Sequence, residues 1–305
     1  MTDPVRDYLK TEQVAQRLQA LRAPSVWRFI GAVLLNYSLI AAAILCATRV
    51  LQWSAGFHTS ASAVTSGLLG ATVVVAAVIL IAARQHALLV LMHEGAHRSI
   101  SRNRLVNDTL SDLLCGAPLL VSTRSYRTAH LAHHQHLNTE RDPDWCRKVD
   151  NNEERKQWLF PASQPLAQLL ATLYGHSVTY LLKSLADNQR ASSPDQHAEQ
   201  TADPKDTASE SAAIPSDRTL AAAKYALYAV IGTVLTISSS WTGFLLYWLA
   251  PMLLVLPLLM RIRSIAEHFA LRHDHPLRQT RTVRAGWLER LILAPHHIGL
   301  HIDHH

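Results

Sequence analysis

Histidine is the residue whose number and spacing could do chemistry in this sequence: there are 18 in 305 residues, most of them in groups of fixed spacing. "MHEGAHR" holds His93 and His97, "YRTAHLAHHQH" holds His130, His133 and His134, and the closing "PHHIGLHIDHH" holds His301, His304 and His305. His297 lies four residues before His301, and "RSIAEHFA" adds His268 with Glu267 beside it. Residues i, i+3 and i+4 share one face of a helix. H-x-x-x-H therefore projects two imidazoles, and each H-x-x-H-H three, toward one place. Neutral imidazole ligates zinc, copper, iron or nickel, and its second nitrogen needs a partner such as a carboxylate. Glu94, Asp142, Asp144, Glu267 and Asp303 are near enough in sequence to orient such ligands.

His93-Glu94-Gly95-Ala96-His97 alone also fits the zinc site of a metalloprotease, in which the glutamate is general base. A catalytic zinc takes about three protein ligands and leaves one position open. Eight histidines in three repeated groups exceed that need and suit two metals. A transporter would carry ionisable groups near the bilayer midplane, and a bis-histidine haem protein would carry facing histidines within its spans. Neither pattern is present.

The elements that must position these histidines are apolar helices. Spanning a bilayer takes about 20 apolar residues, and four stretches qualify: about Phe29 to Ala47, Ser66 to Ala83, Leu220 to Ser238 (with Lys224 near its start) and Phe244 to Met260. The predicted fold is all-α, a polytopic membrane protein of four transmembrane helices in two hairpins under a histidine-rich helical cap. Lys and Arg precede the first span, fill the segment from Arg84 to Arg218 and follow the last span, whereas both short connections lack them. By the positive-inside rule both termini and all the histidine groups are cytoplasmic, in an inner or plasma membrane. The net charge of +6 then reflects topology, and no nucleic-acid stripe is present.

Residues 1–28 read as a cytoplasmic N-terminal segment, and the first span is too long and too far from the start to be a cleaved signal. Leu105 to Val121, interrupted by Asn107, Asp108 and Asp112, and Pro165 to Leu185 read as interfacial or packing helices. Residues 187–217 are polar and read as a disordered linker within one domain covering 1–305. Cys46, Cys115 and Cys146 form no paired framework. His86, on the same helical face as His93, reads as a buried histidine satisfied by one hydrogen bond. His136, His273, His275 and His296 read as solvated or supporting residues, and His58, His176 and His197 as ordinary ones. Asp142-Pro143-Asp144 is a turn signal that could also supply a carboxylate to a histidine of the second group. Arg127 and Arg281 could pair with such carboxylates or with lipid headgroups.

The order H-x-x-x-H, H-x-x-H-H and, after another pair of spans, H-x-x-H-H resembles the three histidine boxes of the membrane fatty acid desaturase family and its hydroxylase and ketolase relatives. The similarity extends to "YRTAHLAHHQHLNTERDPDW", "RSIAEH" and "TRTV", and covers roughly Leu88 to His305. It implies a non-haem centre of two iron ions and an enzyme that activates O2 with two electrons from a ferredoxin or cytochrome-type donor. The substrate would be a lipid or fatty acyl chain, attacked at an unactivated C–H bond. The ligands carried over are His93, His97, His130, His133, His134, His268, His301, His304 and His305. His297 stands where relatives often have an Asn near one iron, so it joins Asp142, Asp144 and Glu267 as a possible ligand or supporting residue. Introduction of a double bond is the expected outcome, with hydroxylation or carotenoid ketolation as alternatives and the zinc protease as the alternative from another class. Relatives usually continue for some tens of residues past the third box, so an end at His305 implies either a terminus tied down by metal or a fragment.

Overall fold

The computed structural model describes residues 23–56, 60–139, 141–143, 174–175, 217–268, 271 and 279–304. Asp144, Cys146, His305, the predicted helix from Pro165 to Leu185 apart from residues 174–175, and the predicted linker up to residue 216 lie outside them. Among the described residues the chain is helical, apart from one isolated antiparallel bridge between Thr282 and Leu300. In chain order the helices are α1 (Val26–Ser54), α2 (Ser60–Ala96), α3 (Arg104–Ser111) and α4 (Thr123–Gln135). There follow α5 (Asp217–Ile237), α6 (Trp241–His268), α7 (Trp287–Ile292) and α8 (His301–His304). Four of them, α1, α2, α5 and α6, are long and apolar enough to cross a membrane, which marks an integral membrane protein.

Helix α1 starts where Ser25, in extended conformation after Pro24, accepts a hydrogen bond from the Arg28 amide at 3.4 Å, a side-chain cap on one of the free amides of the first turn. Its buried residues are Phe29, Val33, Asn36, Ile40, Ala43 and Ala47. That alternation of four- and three-residue steps is a single helical stripe, and it packs on α2. Small residues keep the two helices close: Ala43 and Ala47 on α1 are buried, as are Ala77, Ala82, Ala83 and Ala87 on α2, as expected where packing rather than water drives helix association. Leu34, Leu35 and Leu45 face outward, toward the lipid.

The last span is not a uniform α-helix. Two π-helical turns, Leu245–Leu249 and Pro251–Val255, interrupt α6. Proline lacks an amide hydrogen and clashes with the carbonyl four residues earlier, and a wider turn relieves that clash. Helix α5 is the least embedded of the four, with no buried residue in its apolar window. It is tied to the bundle by Lys224 Nζ, 2.5 Å from Asp112 Oδ2, and by Tyr228, whose hydroxyl donates to the Ala117 carbonyl at 2.9 Å.

The polar residues that interrupt the third apolar stretch explain its placement. Asn107 is fully buried; its amide nitrogen donates to the Gly95 carbonyl at 2.8 Å and its oxygen accepts from the Ile100 amide at 3.2 Å. Asp112 is fully buried and accepts from the Thr123 amide at 2.7 Å. Helix α3 is therefore fastened to the end of α2 by its polar face. Gly95 makes the fit possible: a Cβ there would land on the Ser111 side chain.

Candidate metal centre

The end of α2 carries His93 and His97, and α4 crosses it carrying His130, His133 and His134. Arg127, one turn before His130, locks the two helices together. Its Nε donates to the Ala96 carbonyl at 2.8 Å and its Nη2 to the Gly95 carbonyl at 2.9 Å, so it caps the last turn of α2. The same guanidinium binds both carboxylate oxygens of Asp108, with Nη1 to Oδ2 at 3.0 Å. Both residues are buried. Sequence left Arg127 without an assigned partner; its carboxylate comes from α3.

Five imidazoles meet at this crossing: His93, His97, His130, His134 and, from α8, His304. His93 Nε2 lies 2.7 Å from His130 Nε2, 2.9 Å from His304 Nε2 and 3.2 Å from His97 Nε2. His130 Nε2 is in turn 2.9 Å from both His97 Nε2 and His134 Nε2, and His134 Nε2 is 3.0 Å from His304 Nε2. A neutral imidazole has one N–H and one lone pair, so a nitrogen facing three others cannot be satisfied by hydrogen bonding among them. A shared cation satisfies all five. The spacing agrees: bonds of about 2.1 Å to one ion place ligands about 3.0 Å apart when at right angles and about 3.4 Å apart when tetrahedral. Tyr126 supports the group, its ring stacked on that of His130 at 5.1 Å.

The electrostatics keep these rings neutral, as metal binding requires. Burial, followed by the neighbouring histidines, pushes His134 down to about 4 and His304 to about 3. The same causes hold His130 far below its ordinary value. Burial also lowers His97, partly offset by Glu94.

A second group lies beside the first. Glu267 and His268, at the end of α6, meet His301, all three buried, with His268 Nε2 2.9 Å from His301 Nε2. Glu267 Oε2 is 3.6 Å from His301 Nε2, while its Oε1 accepts from Arg263 Nε at 2.8 Å. The His133 ring is 5.0 Å from that of His268. Its Nδ1 donates to Asp142 Oδ1 at 2.8 Å, so Asp142 is the carboxylate that serves the second box. Asn138, left out of the sequence-based set, holds this corner: its amide donates to Asp142 Oδ2 at 3.1 Å and its side chain to the Gln279 carbonyl at 2.7 Å.

Two expectations are corrected. Each H-x-x-H-H was expected to aim all its imidazoles at one place, yet His301 belongs to the second group, with the His133 ring beside its His268, while His130, His134 and His304 belong to the first. Each residue turns a helix by about 100°, so the adjacent His133 and His134 point apart; His301 and His304, one turn apart, also divide between the two groups. His297 was expected on the helical face of His301. Instead the chain leaves the helix at His296 and His297, both at positive φ, and His297 is exposed and outside both groups. The break lets the Val283 amide donate to the Gly299 carbonyl at 2.8 Å, and a Cβ at Gly299 would sit 2.9 Å from the Val283 carbonyl oxygen. Arg281 joins the same lacing through its backbone, the amide donating to the Glu267 carbonyl at 2.9 Å. His86 is buried in α2, beside the backbone of Ile292. His296 meets Asn36, Nε2 to Nδ2 at 3.0 Å.

Comparison with known proteins agrees with this arrangement. The model of the family described as fatty acid desaturase matches residues 69–305. The chain belongs to the fatty acid desaturase family. A relative, dihydrorhizobitoxine desaturase of Bradyrhizobium elkanii, is 25% identical over 309 residues, covering 97% of this chain and 75% of its own length. A fatty acid desaturase of this family is an oxidoreductase that acts on a lipid with O2. Its histidine groups, as found here, are able to bind metal and consistent with a di-iron site.

Proposed function

We propose that this desaturase is a membrane-bound di-iron enzyme that introduces a double bond into a substrate chain. The observation that carries the reading is the convergence of five imidazole nitrogens, which no hydrogen-bond scheme among neutral rings can satisfy. His93, His97, His130, His134 and His304 would hold one iron. His133, His268 and His301 would hold the other, with Glu267 beside it and His305 completing the third box. Two iron ions held there would supply reductive activation of O2 and removal of hydrogen from an unactivated C–H bond. The balance is –CH2–CH2– + O2 + 2e⁻ + 2H⁺ giving –CH=CH– + 2H2O, and the two electrons come from a ferredoxin or cytochrome-type donor.

The chain's own residues orient and protect this site. Asp142 fixes the His133 ring with Nδ1 as donor, which leaves Nε2 free of that proton. Arg127 and Asp108 hold the last turn of α2 against α4. The name of the relative supports desaturation over hydroxylation or ketolation. The distribution of Lys and Arg supports a cytoplasmic position for the centre and both termini. Metal analysis of the purified protein tests the reading: about two irons per chain is expected, and one zinc would return the protease. Lipid profiles of cells expressing wild type should contain an unsaturated product that His133→Ala lacks; a product unchanged in the variant rejects the reading.

A further inference from the structure

Arg84 is a charged residue within α2 and it is buried, a costly placement for a membrane-crossing helix and one that calls for partners. One partner is the Leu291 carbonyl, which accepts from Nη2. That carbonyl belongs to the last turn of α7, and the residue four positions on, which would donate to it in a longer helix, is Pro295. Proline has no amide hydrogen, so the carbonyl takes its donor from elsewhere, and Arg84 brings one from α2. The other partner is Asn36 of α1, fully buried, whose Oδ1 accepts from Arg84 Nη1 at 3.3 Å. A guanidinium only donates, so this contact fixes the orientation of the Asn36 amide. Nδ2 then donates twice, to the Ala32 carbonyl at 2.8 Å and to His296 Nε2 at 3.0 Å. His296 thus accepts at Nε2. Two side chains join α1, α2 and the segment from Leu291 to His296.

That segment leads directly into the third box, which divides between the two histidine groups: His304 belongs to the first and His301 to the second. The link is short and held, the Ile298 amide donating to the Pro295 carbonyl at 3.1 Å and the Leu300 amide to the His297 carbonyl at 3.0 Å. Val90, Ala294 and Ile298 also press it against α2. Apolar contact is non-directional and tolerates sliding, whereas a hydrogen bond weakens steeply once its donor and acceptor are misaligned. We propose that, on the di-iron reading above, Arg84 and Asn36 are positioning residues for the third box: by holding Leu291 and His296 they set where His301 and His304 stand, and so act on both groups at once. Arg127 and Asp108, by contrast, brace the first group, and Asp142 the second.

Arg84→Gln and Asn36→Leu, made in the full-length protein in phosphatidylcholine nanodiscs, test this. In metal-free protein the Ile298 and Leu300 amides should exchange hydrogen at least about tenfold faster in both variants, the size of one hydrogen bond to a charged group, while amides of α4 keep their wild-type rates. In iron-loaded protein, competition with a chelator should remove both irons in parallel, at about tenfold lower affinity. Arg84→Lys keeps the charge and loses the planar fork; it should restore neither reading, and its Mössbauer spectrum should be shifted at both irons. Tyr228→Phe, which loosens α5 away from this network, is the control for lost stability: its thermal midpoint should fall while exchange at Ile298 and Leu300 and the Mössbauer spectrum stay as in wild type. Unchanged exchange in both variants, loss of one iron alone, or full restoration by Arg84→Lys overturns the proposal. The wild-type iron content separates the two claims. Two irons in wild type with unchanged exchange in the variants removes the positioning role and keeps the di-iron reading; faster exchange in the variants of a protein that holds no iron pair does the reverse.

Discussion

The two histidine groups are built differently. The first is all imidazole and draws on α2, α4 and α8. Its geometry is held from outside by Arg127, which ties the Gly95 and Ala96 carbonyls to Asp108. The second contains a carboxylate, Glu267, and leans on another, Asp142, whose position depends on Asn138 and the strand-like segment near Thr282. One group is thus aligned by helix packing. The other is aligned by hydrogen bonds among short segments far apart in sequence.

That contrast can be broken most severely at the ligands. His130→Ala, in the middle of the first group, should abolish product and lower the iron content by about one per chain, whereas His268→Ala should remove the other iron; metal analysis and product profiling read both. Next in size are Arg127→Met and Asp108→Asn. Removing one partner of a buried ion pair costs about 3–5 kcal/mol, so the thermal midpoint should fall in both, and iron should be lost from the first group before the second. Asp142→Asn should act on the second group alone. Loss of a carboxylate behind a ligating histidine costs about 10–100-fold in metal affinity, measurable by competition with a chelator, while a retained first-group iron would be the control.

Acid should act on the first group in metal-free protein. His134 and His304 sit at about 4 and 3 in the fold against an ordinary 6.5, so their neutral rings stabilise the folded form above about pH 6.5. That contribution declines as pH drops below 6.5 and is lost below about 3. Denaturant midpoints measured across this window should fall, and His134→Gln should flatten the slope. The smallest effect belongs to Glu94→Gln, which should leave both irons bound and cost far less activity than His93→Ala. Complete loss of activity in Glu94→Gln with metal retained would favour the protease.

Much of this site was legible in the sequence because helical spacing leaves a periodic trace. Four apolar runs announced four helices long and apolar enough to span a membrane, and the histidine boxes announced histidine groups able to bind metal. Asn107, Asp108 and Asp112 were visible as interruptions of an apolar run, but their partners, Gly95, Arg127 and Thr123, are brought to them only by the packing of α3 between α2 and α4. Asn138 stood in the stretch after the second box that resembles the family, but its partners, Asp142 and the Gln279 carbonyl, were not legible there; Tyr126 carried no signal of its own, since a single Tyr beside a histidine box is common without such a role. The exit from the helix at His296 was hidden as well, because what draws the chain out is a contact with Val283.

The sequence by itself determined which residues are chemical and that they ride on helices at the ends of spans, since spacing and hydropathy are local properties. Only the tertiary structure decided how those residues are divided. His133 and His134 are neighbours in the chain, yet a helix turns them about 100° apart, and each meets a different partner arriving from α6 or α8. Which partner arrives depends on contacts between segments more than one hundred residues apart, and no local pattern encodes those.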